Sequence, residues 1–455
     1  VGKDRYLEHG KDRETQRTYR GRAERDDEPP LPRVGPERAV LVASVRRNDE
    51  EAADSRAELV ELLRTAGAEC VAEVVQRRDQ ADGSSFLGRG KLEELQELVG
   101  ELKPDLVAVD GELSARQQRV LEDRLKVRVV DRTAVILDIF ALHAGTAEGK
   151  LQVELAQMEY SYQRQEGLWQ HLERLGGGVG TRGPGESQLE SDRRMLRRRM
   201  GVLRRRLRDL DRSRAVMREG RVGSGIPRVA LAGYTNAGKS SLMNALSGAG
   251  VTVDDALFET LDSTTRAVEH RGHRVLLSDT VGFIRALPHQ LVEAFRSTLE
   301  EVRDADLILH VADASEPEAR RLTQAVAVED VVEEIGAGDI PRLLVLNKAD
   351  RLDADGRSAL RARHPEALLV SALTGEGLDA VRDRLADLAR SRLTAVDVMI
   401  PWRDGALLSE VYRSGHEVRE EPTDEGLRIT ALLPAPAAAR LRGALAAGAA
   451  GEAAT

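Results

Sequence analysis

The stretch Gly233–Ser240 reads GYTNAGKS and fits the pattern GxxxxGK[ST] of loops that hold polyphosphate. An apolar strand, RVALAG, leads into it, and SLMNALSG follows with helical character. In that setting glycines let backbone N–H groups approach phosphate oxygens, and the helix N-terminus adds its positive end. Lys239 is placed to reach the β- and γ-phosphates, and the Ser240 hydroxyl to ligate Mg2+. Farther on, VLLSDTVG ends an apolar strand at Asp279, an acid suited to hold the same ion through water. Gly282 leaves room for a backbone N–H to meet the γ-phosphate. RLLVLNKAD then carries Asn347 and Asp350 to another strand end. A carboxylate there can accept from guanine N1 and N2, a pairing that adenine cannot offer and that discriminates strongly. Lys348 would lie along the base, with Ser371, Ala372 and Leu373 of ALLVSAL near guanine O6. In this order and at strand ends, the set points to binding and hydrolysis of GTP.

Between the phosphate loop and Asp279 lies LFETLDSTTR, residues 257–266. A threonine is needed here to reach Mg2+ and sense the γ-phosphate. Thr260, Thr264 and Thr265 all qualify by chemistry, and spacing does not choose among them. Where Ras-like switches carry a Gln that orients the attacking water, this chain has Phe283. Its ring can neither donate nor accept a hydrogen bond. Slow intrinsic hydrolysis is therefore expected, with a group from elsewhere completing the site; the ring could equally be ordinary core. The nucleotide, GTP or GDP, is expected to touch Gly233, Tyr234, Thr235, Asn236, Ala237, Gly238, Lys239, Ser240 and Ser241 of the loop. Phe258, Glu259, Thr260, Leu261 and Asp262 are expected to follow, then Asp279, Thr280, Val281 and Gly282, then Asn347, Lys348, Ala349, Asp350, Ser371, Ala372 and Leu373.

These residues need a parallel sheet to position them. Strand and helix patterns alternate from about 226 to 394, as a Ras-like P-loop domain requires. The alternation over 39–149 predicts a separate N-terminal α/β domain. Between them, over 150–222, strand signals vanish. Leu151, Leu155, Met158, Tyr162, Trp169 and Leu172 fall at heptad-like spacing, and Leu196, Met200, Leu203, Leu207 and Leu210 alternate by four and three. The glycine-rich GGGVGTRGPGES (176–187) separates the two runs, which predicts a long antiparallel helical hairpin, with Ser187 or a neighbour capping the second arm. Roughly 24 residues per arm would reach about 36 Å. Residues 395–446 read as a small C-terminal α+β domain. The ends, 1–38 and 447–455, carry too few large apolar residues for a core and are expected to be disordered. The fold class is thus multi-domain α/β.

Net charge is −9 over 455 residues, mildly acidic, yet Arg is unevenly spread. The run RRMLRRRMGVLRRRLRDLDRSR (193–214) places Arg on faces away from the Leu seam, with few acids before Arg208. Such a row suits salt-sensitive, sequence-independent binding of RNA phosphates. A solvated helix face is the plain alternative, but it would more often mix signs. Arg193, Arg194, Arg197, Arg198, Arg204 and Arg205 are the candidates, with Arg182 in the glycine loop as an anchor. No run of apolar residues is long enough for a membrane span. The single cysteine, Cys70, precludes an intrachain disulfide and suits a reducing, cytoplasmic setting.

Taken together, FLGRGKLEEL (86–95), DRTAVILDIFALHAGTAEGKLQVELAQMEY (131–160), LGGGVGTRGPGESQLE (175–190), LFETLDSTTR and SDTVGFIRALPHQLVEAFRSTLEEV (278–302) resemble the HflX family, ribosome-associated GTPases of the Obg–HflX group. The resemblance covers about 39 to 440. It implies binding to the large ribosomal subunit and its rRNA, with the hairpin loop near the peptidyl-transferase region. It also implies ribosome-stimulated hydrolysis and the splitting or rescue of idle or stalled ribosomes by a factor that is monomeric off the ribosome. Carried over by motif, Mg2+ would be ligated by Ser240 and Thr260, so that Lys239, Thr260 and Gly282 form the catalytic set. A hydrophobic residue at the Phe283 position is typical of the group. Two departures stand out: SYQRQEGLWQHLER (161–174) replaces a Leu-Pro-Arg-Leu-like stretch, and Ser263 stands where relatives often have Pro. A GTP switch acting on a protein effector through the hairpin, or an RNA-remodelling module, are the competing readings.

Overall fold

The computed structural model describes residues 35–46, 51–78, 81–175, 184–222, 225–248, 257–258, 261, 263–285 and 296–452. Residues 1–34 of the expected disordered tail lie outside this set, and Glu37 and Arg38 already belong to β1 (Glu37–Val45). After β1 come α1 (Ala52–Thr65), β2 (Ala68–Arg77), α2 (Arg89–Leu102), β3 (Leu106–Asp110), α3 (Ala115–Leu125) and β4 (Arg128–Asp131). The strands form an all-parallel sheet in the order β2-β1-β3-β4. Such a sheet is covered on both faces, which is why its central strands β1 and β3 are largely apolar and buried. Ala39, Leu41 and Ala43 of β1 pack with Leu59, Leu62 and Leu63 of α1. Val40 and Val42 pack on the other face with Leu95 of α2 and Leu121 of α3. Ser114 and Gln117 form a capping box at the start of α3.

Helix α4 (Arg132–His143) follows β4 without a loop, and the Asp131 carboxylate caps it by accepting from the Ala134 N–H at 2.9 Å. Sequence patterning did not separate this helix. It buries Val135, Ile136, Leu137, Ile139 and Phe140, so it lacks the polar face that makes a helical period visible.

The hairpin consists of α5 (Ala147–Leu175) and α6 (Pro184–Val222). Both arms exceed the expected length: 29 and 39 residues give about 44 and 58 Å. Helix α6 begins at Pro184, which puts Ser187 inside it, and the loop neighbours before Pro184 lie outside the described residues; the fixed φ of Pro suits a first helical turn. Leu155, Met200 and Leu203 are buried between the arms, flanked by Leu151, Met158, Tyr162 and Leu207. Leu210 is 37% exposed, so the seam ends before it. The side chains of Trp169 and Leu172 lie outside the described set.

The third unit holds β5 (Arg228–Gly233), α7 (Lys239–Ser247), β6 (Thr264–His270), β7 (His273–Asp279), α8 (Arg296–Arg303), β8 (Leu307–Asp313), α9 (Glu318–Glu334), β9 (Arg342–Asn347), a 3-10 turn (Ala349–Arg351), α10 (Ala354–Arg363), β10 (Leu368–Leu369) and α11 (Leu378–Ser391). Its six strands run β10-β9-β8-β5-β7-β6, parallel except for the β6–β7 pair. Strand order turns at β5, which has β8 on one side and β7 on the other. The crevice beyond the carboxyl ends of such strands is where open α/β sheets bind ligands.

The chain ends with an antiparallel sheet, β11 (Leu393–Pro401), β13 (Gly426–Pro434) and β12 (His416–Pro422), with α12 (Gly405–Ser414) and α13 (Ala435–Glu452). Strand β11 starts at Leu393, slightly before the expected boundary, because Leu393 pairs with Pro434. The tail expected to be disordered from 447 is helical as far as Glu452, as a run of Ala favours. Among the described residues no helix is long and apolar enough to cross a membrane.

Candidate functional site

Strand β5 delivers Gly233 to the crevice, and α7 starts at Lys239. Gly238 between them has φ +84°, and a Cβ there would lie 2.4 Å from Asn347 Nδ2, so a side chain would be strained and would push Asn347 aside. Asn236 is also left-handed, at φ +58°, which Asn tolerates better than most. Lys239 is 6% exposed and donates to the carbonyls of Gly233 at 3.1 Å and Tyr234 at 2.9 Å. Burial pulls its pKa down to about 8, against the upward pull of the Asp279 carboxylate. An ammonium held in its own loop by carbonyls alone is poised for a stronger anionic partner.

Asp279 ends β7 and is 1% exposed. One of its oxygens accepts from Ser240 Oγ at 2.7 Å, and the other from the Thr280 N–H at 3.0 Å. Hydroxyl and carboxylate together are a hard-oxygen donor pair, which fits Mg2+. Among the described residues no cluster of three His, Cys, Asp or Glu could cage a metal. A Cβ on Gly282 would lie 2.8 Å from Thr235 Cγ2 and 3.0 Å from Lys239 Nζ, so its smallness keeps the loop's inner wall open. The Thr235 hydroxyl is buried there without a hydrogen-bond partner. Buried polar atoms are rarely left so, and a polar ligand would supply what is missing.

At the end of β9, Asn347 braces two loops. Its Nδ2 donates to Ala237 O and its Oδ1 accepts from the Ala372 N–H, both at 3.0 Å. Asp350 accepts from Ser371 Oγ at 2.5 Å, and Ser371 is fully buried. Lys348, at φ +63°, reaches Asp313 Oδ2 at 2.9 Å and Asn236 Oδ1 at 3.3 Å. Leu373 is 84% exposed at the rim. Sequence reasoning missed Asp313, although it ends the apolar run LILHVAD much as Asp279 ends its own strand.

The Phe283 ring is 1% exposed and packs with Ala230, Leu299, Val302 and Val328. Its backbone is tied to the loop, with Thr235 N donating to Phe283 O at 2.8 Å and Phe283 N to Gly233 O at 3.1 Å. The ring is therefore core. Thr264 lies opposite Asp279 in the β6–β7 ladder, and Thr265 shares a 2.8 Å hydrogen bond with Ser278. Glu259, Thr260 and Asp262 lie outside the described residues, as does Arg182. Their flanks are described: Leu257, Phe258 and Leu261 are buried against α1 and α4, with Phe258 edge-on to Phe140 at 4.7 Å. A cavity of about 110 Å³ opens beside the phosphate loop, lined by Glu58, Tyr234, Thr235, Asn236 and Arg320 among others.

The hairpin arginines divide into two groups. Arg193 and Arg197 donate to Tyr162 Oη, and Arg204 pairs with Glu159 at 2.7 Å. Arg199, on the same arm, pairs with Glu154. Arg194 is exposed. Arg198 and Arg205 are exposed and have no hydrogen bond or ion pair among the described residues.

Comparison with known proteins agrees with this geometry. Residues 53–141 match the family described as GTP-binding GTPase N-terminal, and 143–221 the GTP-binding GTPase middle region. Residues 228–348 match the 50S ribosome-binding GTPase family. GTPase HflX of Lacrimispora saccharolytica is 43% identical over 399 residues, covering 88% of this chain and 94% of that protein. GTPase HflX of Caldanaerobacter subterraneus is 42% identical, covering 89% and 93%. GTPase HflX of Escherichia coli is 41% identical, covering 83% and 88%. With the phosphate-loop geometry and these relatives in agreement, the chain is a GTP hydrolase and belongs to the HflX family of GTPases.

Proposed function

We propose that this GTPase binds the large ribosomal subunit through its hairpin and uses the GTP cycle to separate or rescue idle or stalled ribosomes. The observation that carries the reading is the second arm of the hairpin, where Arg198 and Arg205 are exposed on an arm about 58 Å long. An arm of that reach with guanidinium groups facing solvent suits rRNA phosphates. The description of the matched family as ribosome-binding supports the same partner. The factor would act in the cytoplasm and be monomeric off the ribosome.

At the nucleotide, Lys239 and the Gly282 N–H would meet the terminal phosphates, while Asp350 and Asn347 read guanine. Ser240 and Thr260 would ligate Mg2+, with Asp279 acting through water. The ion, when bound, neutralises charge on the phosphate oxygens. Phe283 brings no hydrogen-bonding group to the attacking water, because its ring is occupied in the core. Hydrolysis should then wait for a group supplied by the partner, which makes the ribosome a natural trigger.

The test is a GTPase assay with and without purified large subunits, paired with sedimentation of intact ribosomes. Stimulation by the subunit, and separation of subunits with a non-hydrolysable GTP analogue but not with GDP, is the expected result. A rate unmoved by large subunits would sink the proposal.

A further inference from the structure

Tyr234, the second residue of the phosphate loop, turns away from the crevice. It packs in the apolar core shared with α1 and α4. Its hydroxyl donates to Glu58 of α1 and accepts the backbone N–H of Arg285, two residues beyond Phe283, at 2.8 Å. Glu58 is also ion-paired with Arg132, whose guanidinium reaches Asp110 at 3.2 Å. Glu58, Arg132 and Tyr234 are 6%, 5% and 7% exposed. Burial, reinforced by the neighbouring Glu58 charge, raises the Tyr234 pKa, so its proton stays available for donation. Apolar residues of similar volume often serve stability as well as a buried ion pair, so stability alone does not account for these buried charges.

The residue before Arg132 faces a different element. Asp131 accepts from Tyr160 Oη at 2.7 Å and is ion-paired with Arg164, both on α5. The Arg164 guanidinium lies 3.3 Å from the centre of the Tyr160 ring, and its Nε donates to Gln118 at 2.7 Å. Two adjacent residues thus hold the phosphate loop on one side and the middle of α5 on the other.

We propose that Glu58 and Arg132 are positioning residues which, through Tyr234, tie the phosphate loop and the segment after Phe283 to Asp131. The middle of α5, around Tyr160 and Arg164, is thereby held differently with GTP and with GDP. The shared hydroxyl is the point of conversion. Any shift of Gly282 toward a γ-phosphate pulls on Arg285, three residues on, and so on the Tyr234 hydroxyl that Glu58 also uses. Glu58 then redistributes its hydrogen bonding toward Arg132, and the peptide link carries the change to Asp131. The proposal rests on the guanine-nucleotide site and not on the ribosomal partner, so it is tested without ribosomes.

The experiment is hydrogen–deuterium exchange of the α5 segment around Tyr160–Arg164 in the full chain, with GDP and with a non-hydrolysable GTP analogue. Affinity for both nucleotides is measured in parallel. In the wild type, exchange should differ by about fivefold or more between the two states. Tyr234→Phe removes one oxygen and leaves the ring's packing in place. It should bring the two states together when exchange is compared at nucleotide concentrations that saturate each variant by its own measured affinity. Glu58→Gln, which keeps the shape and removes the charge, should do the same. A Tyr234→Phe protein that keeps the wild-type difference, or a wild type with none, overturns the relay. A purely packing role for the ring would leave the Tyr234→Phe difference intact.

Discussion

Lys239 is buried by the protein's own atoms, and that sets its acid–base behaviour. Burial brings its pKa from the ordinary 10.5 to about 8, and only Asp279 opposes the shift. The folded value lies below the unfolded one. The unfolded chain therefore holds more protons between those values, and this group's contribution to stability rises with pH across that window. Polyphosphate reverses the environment by placing negative charge against the ammonium. Binding of GDP at a pH between the two values should accordingly take up protons, and affinity should fall by at most about tenfold per pH unit there. Calorimetry in buffers of different ionisation enthalpy reads the uptake directly; proton release in that window would contradict the assignment. The meeting of the NKAD and SAL segments was legible in the sequence because both sit at the ends of neighbouring strands, where Asn347 and Asp350 reach Ala372 and Ser371. Asp313 was not, since its role depends on β8 lying beside β9, which brings it to Lys348.

At the scale of elements, the hairpin was foreseeable from its seam. Leu155, Met200 and Leu203 meet because residues at heptad spacing return to one face of a helix. Arm lengths were not, because a glycine-rich run gave no sign that α6 begins already at Pro184. Nor did arginine spacing separate charges facing solvent from those engaged by the first arm. Arg204 is paired with Glu159, whereas Arg198 and Arg205 are exposed and unpaired among the described residues. The double substitution Arg198→Gln and Arg205→Gln should weaken rRNA binding. It should also flatten the dependence of log affinity on log salt by roughly 0.7–0.9 for each phosphate no longer neutralised. Arg204→Gln should change that slope less. Filter binding of large-subunit rRNA across a salt series compares them, and equal slopes for all variants would remove these arginines from the interface.

Across the whole molecule, the first and third units share one core. Tyr234, Leu257, Phe258, Leu261, Val281 and Ile284 pack with α1 and α4, and Phe140 meets Phe258 edge-on. The segment expected to carry the Mg2+-sensing threonine is thus anchored on both flanks in an apolar core built largely by another part of the chain. Phe140→Ala should cost about 3–5 kcal/mol of stability through the lost ring and the cavity it leaves. It should also release labelled GDP faster, because Phe258 loses its partner. Thermal unfolding and stopped-flow fluorescence measure the two effects. A destabilised protein with unchanged GDP release would show that the shared core does not restrain the nucleotide.

The sequence by itself determined the chemistry. Phosphate-loop glycines, a lysine, an acid at a strand end and a guanine-reading cluster each work within a few residues of backbone, so their order and spacing suffice to name GTP. It also determined the alternation of strands and helices and the presence of a seam, which are periodic properties. Only the tertiary structure decided that the Phe283 ring belongs to the core, that the Tyr234 hydroxyl meets Glu58, and that Asp131 and Arg132 divide their contacts between the hairpin and the loop. Those facts depend on which faces meet across large separations in the chain: Glu58 and Tyr234 are 176 residues apart. Local propensity carries no record of such meetings.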